Sequence, residues 1–214
     1  MPFSSRQLQD ILTGQADAIR QLQAIYAAMD ARYAAAADRY GFECRGCDDS
    51  CCLTRFYHHT LVELVGLFSG YLTLSAEERR CIGQNAQTYC HVVSEDERRN
   101  RRTRHLCPLN RDTQCRLYRE RPMICRLHGI AHELHLPGRP VSRGPGCDAF
   151  TRQAAGADDY RFDRTPFYRQ MAMLERELKR LGLDETPYDQ IAKTIYRAIR
   201  CTGTVDYADV YPAE

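Results

Sequence analysis

The chain has 214 residues, 43% of them hydrophobic and 9% aromatic, with 30 basic against 28 acidic side chains and a net charge of +2. That composition is ample for a packed core and excludes a disordered chain, while the near-balance of charge argues against nucleic acid or an anionic membrane as the default partner. No stretch approaches 18 apolar residues, and the N-terminal Met-Pro-Phe-Ser-Ser-Arg-Gln-Leu-Gln-Asp lacks the basic start, apolar run and cleavage site of an export signal. The expected compartment is the cytoplasm, where the 11 cysteines are thiols or metal ligands rather than disulfides.

Leu8, Leu12, Ile19, Leu22, Tyr26, Met29, Tyr33, Ala36 and Tyr40 keep a 4-3 spacing with Gln15 as the polar break, which predicts one helix over about 5–40 closed by Gly41. Such a seam needs a partner helix. Thr60 with Glu63, and Ser75 with Glu78, form capping boxes that open two middle helices. The second runs through Ile82, Ala86, Tyr89, Cys90 and Val93 and is expected to continue into the Arg98 to Arg104 stretch. There Glu95–Arg99 and Glu97–Arg101 pairs at i,i+4 read as a solvated helix face rather than an RNA site, since no aromatic is interleaved.

Little in the chain reads as sheet. The exception is a small hairpin near 130–142, where Leu134 and Leu136 alternate with polar neighbours before the type II turn signal Pro137-Gly138. Thr165-Pro166 reads as an N-cap followed by a first-turn proline, opening a helix with the seam Phe167, Met171, Leu174, Leu178 and Leu181. That seam can pair with the first. Thr186-Pro187 opens a last helix carrying Tyr188, Ile191, Ala192, Ile195, Tyr196 and Ile199 on one side.

The cysteines fall into two groups, Cys44, Cys47, Cys51 and Cys52, then Cys107, Cys115, Cys125 and Cys147. Cys44 and Cys47, three apart in a Gly-containing turn, can aim two sulfurs at one ion, and Cys51 and Cys52 close the same loop. The first loop, the Cys107-Pro108 turn, Cys115-Arg116-Leu117-Tyr118 and Arg121-Pro122-Met123-Ile124-Cys125-Arg126 occur in the order of the YkgJ-like cysteine-cluster family, which this chain resembles over about 42–150. The resemblance implies a zinc- or iron-chelating domain in that region. Asp48, Asp49 and Ser50 put one residue more between Cys47 and the pair than the family's CxxCxxCC, and Leu127-His128-Gly129 replaces its usual apolar residue and proline.

Eight thiolates exceed what one tetrahedral ion needs, so two centres are expected. Two zinc ions, an iron–sulfur cluster with a zinc, or two clusters all satisfy the count. The balance falls to iron–sulfur, with zinc next. Arg45, Arg116, Arg121 and Arg126 lie beside the cysteines, where they either offset thiolate charge or form solvated surface. Cys81, Cys90 and Cys201 read as small core residues, and His58, His59, His128, His132 and His135 as ordinary histidines, with His128 the best candidate for a ligand. No nucleophile elbow, nucleotide loop or H-E-x-x-H is present, and whether any reaction is catalysed stays open.

The expectation is therefore a mostly α, single-domain protein with no membrane segment. A long helix spans 1–41, a loop-rich cysteine metal core 42–150, and C-terminal helices in 151–214 pack back on the first. Three functions fit it: a redox or electron-transfer centre, a structural-zinc module that binds a protein partner, or a metal carrier or insertion factor.

Overall fold

A computed structural model describes residues 13–44, 51–54, 60–102, 104–154 and 160–180. The protein is mostly α with small sheets. In chain order the described elements are α1 (Ala16–Tyr40), α2 (Leu61–Thr73), α3 (Ala76–Arg98), β1 (Asn110–Arg111), β2 (Gln114–Cys115), α4 (Met123–Arg126), β3 (His132–Leu134), β4 (Ser142–Gly144), α5 (Asp148–Gln153), β5 (Phe162–Asp163) and α6 (Thr165–Arg180). The predicted helix after Thr186-Pro187 and the extension of the first helix through Leu8 and Leu12 lie outside the described residues.

α1 is the axis of the larger core. Ala18, Leu22, Tyr26, Met29, Ala36 and Tyr40 are buried along one face, and Gly41 ends the helix at φ 62 with its N–H returned to the Ala37 and Asp38 carbonyls. The stripe runs through Ala18 rather than Ile19, and the polar break Gln15 is itself buried. Phe167, Met171 and Leu174 of α6 fill the facing side, so the two seams do pack together. Withdrawing side chains such as Leu22 and Met171 from water stabilises by about 1.5–3 kcal/mol each. α2 crosses α1 closely at Gly66, where a Cβ would stand 2.5 Å from Leu22 Cδ2.

Both capping boxes form as read. Thr60 does more than cap, because its partner Glu63 is completely buried and also accepts the Met123 N–H, 2.7 Å away across the core. Glu175 of α6 accepts the Val62 N–H at 3.1 Å, tying α6 to the same end of α2.

α3 stops at Arg98 rather than running to Arg104. Arg99 closes it, Asn100 turns the chain at φ 49, and buried Asp96 then collects the segment that follows. Arg101 donates its backbone N–H to the Asp96 main-chain carbonyl at 2.8 Å and its Nε to one carboxylate oxygen at 2.9 Å, and His105 Nε2 lies 2.7 Å from the other carboxylate oxygen. The expected Glu95–Arg99 pair is present at 2.9 Å, but Arg101 goes to Asp96 instead of Glu97. A buried, less solvated carboxylate outcompetes an exposed one for the guanidinium.

The hairpin near 130–142 is β3 paired antiparallel with β4. Its turn has the type II form, with Pro137 followed by Gly138 at φ 69 and the Arg139 N–H donating to the Leu136 carbonyl at 3.2 Å. Sheet exceeds the expectation in two places. β5 adds to β3 in parallel, and β1 with β2 makes a short hairpin inside the second cysteine group. Its two turn residues, Asp112 and Thr113, both have positive φ, 53 and 66, which the right-handed twist of a two-residue hairpin requires.

α6 begins at Thr165 itself. Asp163 Oδ1 accepts the Thr165 N–H at 2.8 Å, while the Thr165 hydroxyl accepts the His135 N–H at 2.9 Å. The hydroxyl read as an N-cap thus joins β3 to the helix. Among the described residues no helix is long and apolar enough to cross a membrane.

Candidate metal centre

Seven of the eight predicted ligands lie in described residues, the exception being Cys47. Different elements deliver them. Cys44 follows the end of α1, and Cys51 and Cys52 open a turn. Cys107 leads into β1, Cys115 ends β2, Cys125 sits in α4, and Cys147 caps α5 with its sulfur accepting the Phe150 N–H at 3.4 Å.

The tertiary fold joins these sites into one chain of neighbours. Cys147 interacts electrostatically with Cys44, Cys44 with Cys51, and Cys51 with both Cys52 and Cys125. Cys52 and Cys107 in turn both act on Cys115. The Cys107 N–H donates to the Cys52 carbonyl at 2.8 Å, so the backbone bridges the two cysteine groups. The set also spans the two cores: Cys147 belongs to the α1–α6 core, and Cys107 and Cys115 pack on the Leu67, Phe68, Ile82, Leu109 and Leu117 cluster. Among the described residues no three His, Cys, Asp or Glu side chains are grouped to hold one ion.

Burial and mutual repulsion govern these thiols. A hydrogen bond with Cys52, then burial, pushes the Cys51 thiol up, with Cys52, Cys125 and Cys44 adding to the shift. Burial pushes Cys115 up to about 12, with Cys107 and Cys52 adding to it and Arg121 opposing. Burial and Cys147 raise Cys44, again against Arg121. Such a set cannot ionise together unless a cation compensates it. The donor chemistry therefore fits a thiophilic metal, which binds thiolates and displaces their protons.

Arg121 and Arg126, beside Cys125 in the Arg-Pro-x-x-Cys-Arg run, are structural rather than solvated. Both reach the carboxylate of Asp30 on α1, at 3.0 Å and 2.5 Å. Arg126 is buried, lies 3.9 Å over the Tyr26 ring, and also donates to the Arg121 and Arg119 carbonyls. Arg121 covers the Tyr118 ring at 3.8 Å and donates to its carbonyl at 2.7 Å. One carboxylate on the first helix thus clamps the loop that carries Cys125. Arg116 pairs with Glu78 of the second capping box, and Arg45 lies outside the described residues.

Just beyond the clamp, the Tyr33 hydroxyl donates to the His128 carbonyl at 2.7 Å. Burial, then Cys44 and Cys147, pushes that phenol up. Gly129 (φ 111) and Gly146 (φ 89) are required next to it, since a Cβ on Gly146 would stand 2.5 Å from the Gly129 carbonyl that accepts the Cys147 N–H. Arg164, buried at the start of α6, donates to the Leu127 carbonyl and is lowered to about 10 by burial.

His132 and His135 follow the ordinary reading. His135 pairs with Glu133 at 3.0 Å. His132 lies against Gly144 and is lowered to about 4, first by burial and then by Arg164. His58 and His59 lie outside the described residues. Because His132 is neutral in the fold, its contribution to stability is complete above the unfolded value near 6.5 and is lost as pH falls toward 4. His132→Gln should remove about 1–2 kcal/mol of the wild type's acid sensitivity between pH 7 and pH 4, discounted for a half-exposed ring. Urea melts of both proteins at the two pH values test this, and parallel losses would refute it.

Of the cysteines outside the set, Cys81 is a free thiol, whereas Cys90, read as a reduced core residue, is disulfide-bonded. Cys201 lies outside the described residues. Tyr26, Asp30, Tyr33 and Glu63 were not read from the sequence as part of the site. Their one visible signal is Asp30, a carboxylate one turn from Tyr26 and three residues before Tyr33, bordering an otherwise apolar seam.

No family model, no curated protein and no solved structure matches the chain.

Proposed function

We propose that this protein is a metal-binding protein that holds one or two iron–sulfur or zinc centres through Cys44, Cys47, Cys51, Cys52, Cys107, Cys115, Cys125 and Cys147. The observation that carries the reading is the linkage of the described cysteines, scattered from 44 to 147, through the Cys107–Cys52 backbone hydrogen bond and mutual electrostatics, with all but the exposed Cys44 buried or half-buried. Cysteines retained only as small apolar residues have no reason to seek one another out, and thiols that repel as thiolates gain from a shared cation. Electron transfer is the use that an iron–sulfur centre would supply; a zinc centre would supply structure.

The protein's own part is to hold and charge-compensate the ligands. Asp30 fixes the Cys125 loop through Arg121 and Arg126, and the Cys107–Cys52 backbone bond joins the two groups. Arg121 favours the ionised thiols at Cys44 and Cys115. Metal and acid-labile sulfide analysis with an optical spectrum, on protein purified without oxygen, tests the reading. Iron with sulfide supports a redox centre and stoichiometric zinc a structural one, whereas protein that carries and takes up neither ion would refute it.

A further inference from the structure

Charge is distributed unevenly along the chain. Residues 95–119 hold eight arginines against four carboxylates, a local charge of +4 in a chain whose net charge is +2, so the remainder is net negative. Among the described residues from 98 to 119, every exposed charged side chain except Asp112 is an arginine. The fold lays this segment back along α3. His105 meets Asp96 at 2.7 Å and the edge of the Tyr89 ring, Leu109 and Leu117 pack with Ile82, and Arg116 pairs with Glu78 in the first turn of the helix. Glu78 and Asp96 are 18 residues apart on α3, so the basic strip is about 27 Å long.

Arg98 and Arg99 share Glu95, Arg101 takes Asp96 and Arg111 takes Asp112. Arg102 and Arg119 are exposed and have no ion-pair partner among the described residues. Two exposed apolar side chains stand in the same segment, Leu106 at 57% and Tyr118 at 62%, and the Arg121 guanidinium lies over the Tyr118 ring at 3.8 Å. Arginine and tyrosine without lysine is the composition of a protein–protein interface and of its binding hot spots. A nucleic-acid strand fits less well, because the exposed Glu97 and Asp112 would face its phosphates and one exposed aromatic gives its bases little to stack on. We propose that this strip docks an acidic segment of a partner protein, with Arg102 and Arg119 pairing with its carboxylates while Leu106 and Tyr118 pack on its apolar side chains. The docking does not depend on whether the cysteines hold metal.

A fluorescein-labelled peptide of about 12 residues, glutamates with interspersed leucines, is long enough when extended to span the strip and serves as the probe. Its fluorescence anisotropy with the 214-residue chain should show binding at low salt that weakens as salt is raised. Arg102→Glu combined with Arg119→Glu should weaken binding by about tenfold or more, and Tyr118→Ala by about tenfold. Arg176→Glu, which reverses an exposed charge on α6, should leave it unchanged, and all variants should melt at the wild-type midpoint. No binding of the peptide at low salt would overturn the proposal, as would equal losses in Arg176→Glu and in the strip variants. Indifference to Tyr118→Ala would reduce the contact to charge alone and overturn the docking surface. Tighter binding of oligo(dT) of the same charge would overturn the protein partner in favour of a nucleic acid.

Discussion

Glu63→Ala is expected to lower stability by about 3 kcal/mol, a fall in thermal midpoint of about 6–12 °C for a chain of this size. The side chain is completely buried and its two oxygens take three donors, from Thr60 and Met123. Loss of a helix cap alone costs about 1 kcal/mol. The larger figure comes from the Met123 N–H, left unsatisfied inside the core, and from the cavity that remains. Since Met123 opens the short helix that carries Cys125, the same substitution should loosen the cysteine set. Glu63→Gln, which keeps one acceptor oxygen, should fall between the two. Denaturant melts decide it: a loss below about 1 kcal/mol would mean that Glu63 acts only as a cap.

Cys51→Ser and Cys125→Ser, made separately, should each abolish or halve bound metal and lower the melting temperature, because metal binding and folding are coupled. Cys51 interacts electrostatically with Cys52, Cys125 and Cys44, so its loss touches several members of the set at once. Cys81→Ser, altering a thiol on α3 outside the predicted ligand set, should leave metal content unchanged. Elemental analysis and calorimetry on the three variants provide the check. Unchanged metal and midpoint in both ligand variants would remove these residues from the site.

The Glu63 and the cysteine variants probe different levels of the same assembly. Glu63 acts through packing and hydrogen bonding between α2 and α4, so its effect should persist in metal-free protein. On the proposed metal-binding reading the cysteine variants act through a bound ion, so their effect should shrink when the wild type is stripped of metal. Measuring both series with and without chelator separates the scaffold from the centre.

Local chemistry was legible without the fold. The capping boxes at Thr60 and Ser75, the αL closure at Gly41, the Pro137-Gly138 turn and the seams of α1 and α6 each depend on residues within a few positions of one another. Periodicity and cap preference encode such features directly. The sequence by itself also marked the cysteines as two groups. What it left open was decided by elements that meet only after folding. Asp30 reaches Arg121 and Arg126 from about 90 positions away in the chain, and Glu63 reaches Met123 from 60. Asp96 took Arg101 from Glu97 because it is the buried carboxylate, and α3 ends at Arg98, the first residue of the arginine stretch. Thr165 gave its hydroxyl to His135 once β3 lay beside α6. For Arg101 the competing carboxylates, Asp96 and Glu97, looked alike along the chain. Burial, which tertiary packing alone assigns, made one acceptor stronger than the other.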